Sequence, residues 1–385
     1  MPAPRGARTA TARGAAVHHR GTAMLMLTDT DPALDLRVIH ARRALGEPAL
    51  LVAEAASATP FRVLSAFLTL LLGIAVGTTL HGERAERIAR PMHARLGTRI
   101  AGLRSFARSQ ARSLQFVWRE RAALRRAGHL HAHDQVCGLT AWFAQRFWGV
   151  SFDYDAHEIV PFRPRRTGRC RMLLEFAWER AIVRNARRCI VVNQPMRRIY
   201  RHLYGPANYV VQPNDFFVDR EVALSPSGQR LLVYVGSTGA HRQLDAMLGV
   251  ARRDDAEVTL YVPDAATVAA ALGVPRCHEL AGYETALIDE IAGQAPYFWC
   301  AFDAAIPSYR HSLPNKFFQA MALGAPIVAT QGTYLARLVR RHGLGAVIDD
   351  AHVQGESLWA PVRYEAARDA MRRFRAAYRR GDVVI

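Results

Sequence analysis

The chain has 385 residues, 50% of them apolar, with a formal net charge of +18 and an isoelectric point near 10.6. The length suits two domains of ordinary size, the apolar content excludes global disorder, and the charge asks for an anionic partner, whether small molecule, membrane surface or nucleic acid. The five cysteines are odd in number and show no CxxC spacing, which argues against a disulfide framework or zinc module and for a reducing compartment.

Residues 1–23 are basic and rich in Ala, Gly, Arg and Thr, with no apolar h-region. They read as a disordered tail rather than a secretory signal. Met24–Leu27 reads as a short strand, 28–32 as a turn, Asp35–Leu45 as a helix and Leu50–Ala53 as a second strand. This β-α-β opening is Rossmann-like. Asp29-Thr30-Asp31 spells DxD, a triplet that can hold a metal-bound nucleotide, but its position after a strand fits a plain turn better.

Val63–Leu80 is the most apolar run and carries no charge. Roughly 18 apolar residues is the lower bound for a membrane span, and a span here would break a Rossmann domain. A buried helix or an interfacial helix is easier to build. Glu83–Ala127 follows with a helical pattern and many arginines. Such a run is usually a solvated face, and after an apolar segment it also suits anionic lipid. We therefore expect a membrane-associating insert at about 60–127. Nucleic acid is not expected, because the arginines are spread through helices with neither zinc-finger spacing nor an aromatic RNA-binding signature.

His129–Gly138 reads HLHAHDQVCG, placing His133 and Asp134 late in a strand. His133 is suited to hydrogen-bond a hydroxyl or diphosphate oxygen near neutral pH, although a lone histidine is more often structural. Val150–Tyr154 is a strand candidate that runs into Asp155-Ala156-His157-Glu158. Leu173–Arg188 reads as a helix and Cys189–Asn193 as a strand. Tyr209–Pro213 is a strand that enters a domain boundary near Asn214.

The second half begins again with a strand, Gln229–Val235, a small-residue loop from Gly236 and Ser237 to Gly239, then Arg242 and a helix over Leu244–Arg252. Strand, glycine-containing turn and helix make a phosphate cradle in principle, a weak signal alone. Val258–Val262 is the next strand. Ser312–Gly324, SLPNKFFQAMALG, reads as a helix with Ser312 as cap, Pro314 in its first turn and Gly324 at its end, running into the buried strand Ile327–Thr330. The 51 basic residues include one lysine, Lys316, at the start of this helix. A compact ammonium beside the free amides and positive dipole of a helix N-terminus suits a phosphate oxygen. Gln319 shares its face.

Residues 312–330, SLPNKFFQAMALGAPIVAT, resemble the donor-site segment of GT-B-fold glycosyltransferases of family 4, which use nucleotide-diphosphate sugars. Arg37-Val38, HAHD at 131–134 with Gly138 opening the next helix, DAHE at 155–158, Pro213-Asn214, AFDAAIP at 301–307 as the strand before the donor helix, and the Gly343-Leu344-Gly345 turn add to the likeness. The resemblance implies an α/β chain with two Rossmann-like domains facing a cleft. Residues 24–213 would form the acceptor domain, 214–360 the nucleotide-sugar domain, and the helix in 361–385 would cross back. It implies that Lys316 and Arg242 contact the donor diphosphate, with Gly236, Ser237, Ser312, Leu313 and Asn315 around it. The family's two donor-site glutamates fall on His311 and Gln319, a departure that leaves Gln319 to bind ribose hydroxyls through its amide. His133 and Asp134 would position the sugar or acceptor as catalytic groups, and Asp155, His157 and Glu158 would lie on the acceptor side.

The expected activity is thus transfer of a hexose from a nucleotide sugar to a lipid-linked or polysaccharide hydroxyl, with retention and without metal or other cofactor. Its place would be the cytoplasmic face of the cell membrane, in envelope glycan synthesis. The alternatives are a GT-B sugar-nucleotide epimerase and a degenerate, non-catalytic binding protein.

Overall fold

The computed structural model describes residues 24–28, 48–52, 113–162, 169–214, 230–280, 285–292, 296–349, 357–359 and 361–385, with single or paired positions at 38, 41–42, 45–46 and 294. The apolar run Val63–Leu80, the DxD triplet and most of the arginine-rich stretch lie outside the described residues. Among those described, no helix is long and apolar enough to cross a membrane.

The first unit alternates strands and helices: β1 (Met24–Thr28), β2 (Ala49–Val52), α1 (Arg121–Arg126), β3 (His129–His133), α2 (Asp134–Trp148), β4 (Ser151–Ala156), α3 (Arg169–Asn185), β5 (Arg188–Val191), α4 (Gln194–Tyr204) and β6 (Tyr209–Val211). Its sheet has the order β2-β1-β3-β4-β5-β6, every pair parallel. A parallel pair needs a crossover, which the helices provide.

After Asn214 the pattern restarts with β7 (Leu231–Val235), α5 (Leu244–Asp254), β8 (Glu257–Val262), α6 (Ala265–Leu272), β9 (Arg276–Glu279), α7 (Thr285–Ala292) and β10 (Tyr297–Trp299). It continues with α8 (Pro307–His311), α9 (Asn315–Leu323), β11 (Ile327–Thr330), α10 (Tyr334–His342), β12 (Gly345–Ile348) and α11 (Pro361–Arg380). The second sheet has the order β12-β11-β10-β7-β8-β9, again parallel throughout. β7, β10 and β11 are buried along their whole length, which is why they read as continuous apolar runs. Arg375 on α11 donates to the Ala322 carbonyl (2.6 Å), packing that helix on the second unit, and the tail beyond it reaches the first, where Ile385 O accepts from the Gln194 amide (3.3 Å).

Three local expectations are corrected. The strand before α9 is Tyr297–Trp299, not 301–307: this aromatic triplet pairs with β7 and β11, whereas Asp303 caps a turn by accepting from the Ala305 amide (2.8 Å) and Pro307 opens a short helix. Ser312 does not cap α9 either. It closes α8, and Pro314 occupies the N-cap position of α9, so the helix starts at Asn315. Gly138, expected to open a helix, lies inside α2, where an added Cβ would meet the Tyr154 ring at 2.9 Å.

Candidate active site

The C-terminal ends of the two sheets face a cavity of about 270 Å³ between the units, the place where open parallel sheets bind ligands. From the second unit, Gly236, Ser237, Arg242, His311, Ser312, Leu313, Asn315 and Lys316 line it. From the first, His157, Glu158 and Ile159 do, with Met196 and Asn214. Residues scattered over the sequence are therefore brought to one wall pair by the two sheet edges.

The second-unit wall is cationic. Lys316 is 6% exposed, and its ammonium sits 4.3 Å from the centre of the Tyr234 ring, which attracts a cation electrostatically. Burial, and then the neighbouring Arg242, lower its pKa from 10.5 to about 7. Arg242 lies over the Tyr309 ring at 5.4 Å, reaches Ser237 Oγ (3.4 Å), and keeps a buried Nε without a hydrogen-bond partner. Trp299 fixes its backbone through an indole N–H to the Arg242 carbonyl (3.2 Å). The Tyr234 hydroxyl donates to the Ser237 carbonyl and pins the loop after β7. Pro314 brings no side-chain acceptor to the start of α9, which leaves first-turn amides available to an anion beside Lys316. Two cations and a helix end on one wall, with Glu158 the one carboxylate among the described lining residues, suit a multivalent anion.

The first-unit wall is a histidine–carboxylate network. His133 ends β3, and Asp134 turns sharply into α2 with φ of 60°. Both lie behind the cavity wall rather than on it. His133 Nδ1 stands 3.1 Å from His157 Nε2 and 3.1 Å from Asp155 Oδ2, and His157 Nδ1 stands 3.4 Å from Asp134 Oδ2. A consistent proton assignment has His133 Nδ1–H directed at His157 and Asp155 while His157 Nδ1–H donates to Asp134. His157 is thus the member of the network that reaches the cavity, held from two sides. Asp155 is buried beneath it.

One expectation about the donor wall meets a different placement. Gln319 is 1% exposed, does not line the cavity, and has neither amide atom hydrogen-bonded. His311 lines the cavity, and its carbonyl accepts from Asn193 Nδ2 across the two units (2.7 Å). Asn214, read only as a domain boundary, donates to Asn315 Oδ1 (2.6 Å) and so ties the linker to the first turn of α9.

A support that sequence reasoning missed is Glu179. Its buried carboxylate accepts from the hydroxyls of Tyr154 (2.9 Å), Tyr200 (2.7 Å) and Tyr204 (2.5 Å). Tyr200 also stands 2.8 Å from the Glu158 carbonyl, so this knot holds the DAHE loop. The helical spacing of Tyr200 and Tyr204 was the one available signal.

Among the described residues, the donor atoms of His131, His133 and Asp155 lie within 4.8 Å of one another. Ligand atoms about 2.0–2.2 Å from one ion lie roughly 3–4.4 Å from each other, so this buried trio is spaced as a group that could hold a metal ion. Burial, then His133, lower the His131 pKa to about 3, keeping it neutral.

No family model and no curated protein sequence matches the chain. Solved structures do. HepE from Anabaena, in complex with UDP-glucose, superposes with a TM-score of 0.58 at 11% identity, covering 92% of this chain and 94% of that one. Sucrose-phosphate synthase from Thermosynechococcus elongatus superposes with 0.54 at 15% identity, covering 71% and 77%. These likenesses and the two six-stranded parallel sheets establish one structural conclusion: the chain has the GT-B fold.

Proposed function

We propose that the protein is a glycosyltransferase that takes a sugar from a nucleotide diphosphate and passes it to an acceptor hydroxyl. The observation that carries this reading is the convergence of Lys316, Arg242 and the first turn of α9 on one wall of the interdomain cavity. The chemistry needs a leaving diphosphate stabilised as charge develops on it. Preorganised cations in a half-closed site provide that, each charged hydrogen bond contributing about 1.5–3 kcal/mol. The resemblance of residues 312–330 to family 4 supports a retaining, metal-independent transfer. The structural neighbour solved with UDP-glucose supports a nucleotide sugar as donor.

The opposite wall supports an acceptor side at His157 and Glu158, with His133, Asp134 and Asp155 as groups that position His157. The arginine-rich first half supports a lipid-linked acceptor used at the inner face of the membrane. The experiment is calorimetric titration of UDP, GDP and ADP, with their glucose esters, against wild type and Lys316→Ala. Tight binding of one base, lost in the variant, is the expected result. A folded wild type that binds none of them would overturn the reading.

A further inference from the structure

We propose that the outer face of the first unit, centred on Trp118 and Phe147, is an anionic-membrane docking surface. The described residues hold five exposed large apolar side chains, and four of them fall on neighbouring helices here: Trp118 (56% exposed), Phe147 (48%), Leu173 (63%) and Leu174 (39%). Trp118 and Phe147 belong to a continuous aromatic stripe. Trp118 packs on Phe147 at 5.9 Å, Phe147 stacks on Phe143 at 6.0 Å, and Phe143 meets Trp178 at 6.0 Å. Leu174 lies one turn before Trp178 on α3. Trp118 also meets Trp148 edge-on at 6.5 Å.

Among the described residues of these helices, the exposed charge has one sign. Residues 113–119, α1, α2 and α3 expose Arg119, Arg121, Arg125, Arg126, Arg146 and Arg180. Their carboxylates are withdrawn. Glu175 and Glu179 are buried, Glu120 is paired with Arg119 (2.7 Å), and Asp134 faces His157. A protein core would not leave Trp and Phe half in water, and a solvated face would carry both signs. Ring systems at the level of lipid headgroups with guanidinium groups beside them fit an interface of anionic lipid. A nucleic acid would also meet the charge and could stack on Trp118 and Phe147, but it would leave the exposed Leu173 and Leu174 in water, whereas lipid would bury them.

The surface lies on the unit that supplies His157 and Glu158, so it would hold the acceptor side of the cavity near lipid. Only this purpose rests on the transferase reading; the docking itself does not.

The test is co-sedimentation of the full chain with vesicles of phosphatidylcholine alone and with about one third phosphatidylglycerol, for wild type and Trp118→Ala/Phe147→Ala. Binding to the anionic vesicles is expected to fall about tenfold in the variant, with little binding to neutral vesicles in either protein. Bromine-labelled lipid should quench wild-type tryptophan fluorescence and quench Trp118→Phe less. UDP titration of the same preparations separates the two ideas. Retained UDP binding with no vesicle binding by wild type would sink only the docking surface, as would a variant that sediments like wild type. The same holds if a single-stranded oligonucleotide competes wild type off the vesicles and binds it more tightly than they do. Loss of UDP binding with docking intact would sink only the transferase reading.

Discussion

The ammonium of Lys316 is held 4.3 Å from the centre of the Tyr234 ring, and the charged side chain that acts on it among the described residues is a second cation, Arg242. A buried cation with a cationic neighbour costs stability until an anion arrives. Lys316→Met should therefore raise the thermal midpoint of the ligand-free protein. The same change should remove about 1.5–3 kcal/mol of nucleotide-diphosphate binding, roughly 10- to 150-fold in affinity. Scanning calorimetry with and without UDP checks both halves. An unchanged UDP-induced shift in the variant would place the diphosphate elsewhere.

The lowered pKa of Lys316 gives the site a pH dependence with a fixed sign. Its folded pKa of about 7 lies below the usual 10.5, so the free protein releases this proton as pH passes 7 while the unfolded chain keeps it. Stability of the free protein should therefore rise from about pH 7 towards 10 on account of this group. Diphosphate binding needs the charged form, so affinity should fall above pH 7, by up to about tenfold per unit. Calorimetry in buffers of different ionisation enthalpy should show proton uptake on UDP binding at pH 8. Lys316→Arg, which cannot titrate in this range, should flatten the profile; an equally steep profile in that variant would assign the titration to another group.

His157 offers a separate handle on the opposite wall. Asp134 and His133 hold it from either side, and none of the three belongs to the cationic wall. Asp134→Asn should keep UDP affinity within about twofold and lower turnover by about tenfold or more, as loss of one orienting hydrogen bond does. Binding and rate are measured on the same preparation. If UDP affinity falls in parallel with the rate, the network belongs to the donor site and the division between the walls is wrong.

The parts legible in the sequence share one physical cause. Strands buried on both faces, such as β7 and β11, read as unbroken apolar runs, and Lys316 stood out because the chain uses arginine everywhere else. β9 escaped because it is an edge strand of polar residues, RCHE, largely exposed, with no apolar period to betray it. β10 was displaced because three aromatic residues form too short a run to stand out beside the longer AFDAAIP. At the site, the cationic wall was visible because its residues cluster in two segments. The link from His133 through His157 to Asp134 was not, since neighbouring strands bring those groups together, and the sequence order put His133 in front of His157 rather than behind it.

Gly345 carries the strictest steric demand in the second sheet. Its φ is 146°, and a Cβ there would sit 2.0 Å from the carbonyl oxygen of Ile327 and 2.7 Å from its nitrogen, both backbone atoms of the paired strand β11. Neither can rotate away as a side chain could. Gly345→Ala should push β12 off β11 and cost more than about 3 kcal/mol, or prevent folding at ordinary temperature. Gly273 supplies the control, because its φ is 65° and a Cβ would meet nothing within 4 Å. Gly273→Ala should cost only about 1 kcal/mol, the left-handed backbone penalty alone. Urea denaturation of the two variants separates close approach from conformation. Equal losses would mean that β12 can yield, and that its pairing with β11 does not hold the edge of the sheet carrying α9.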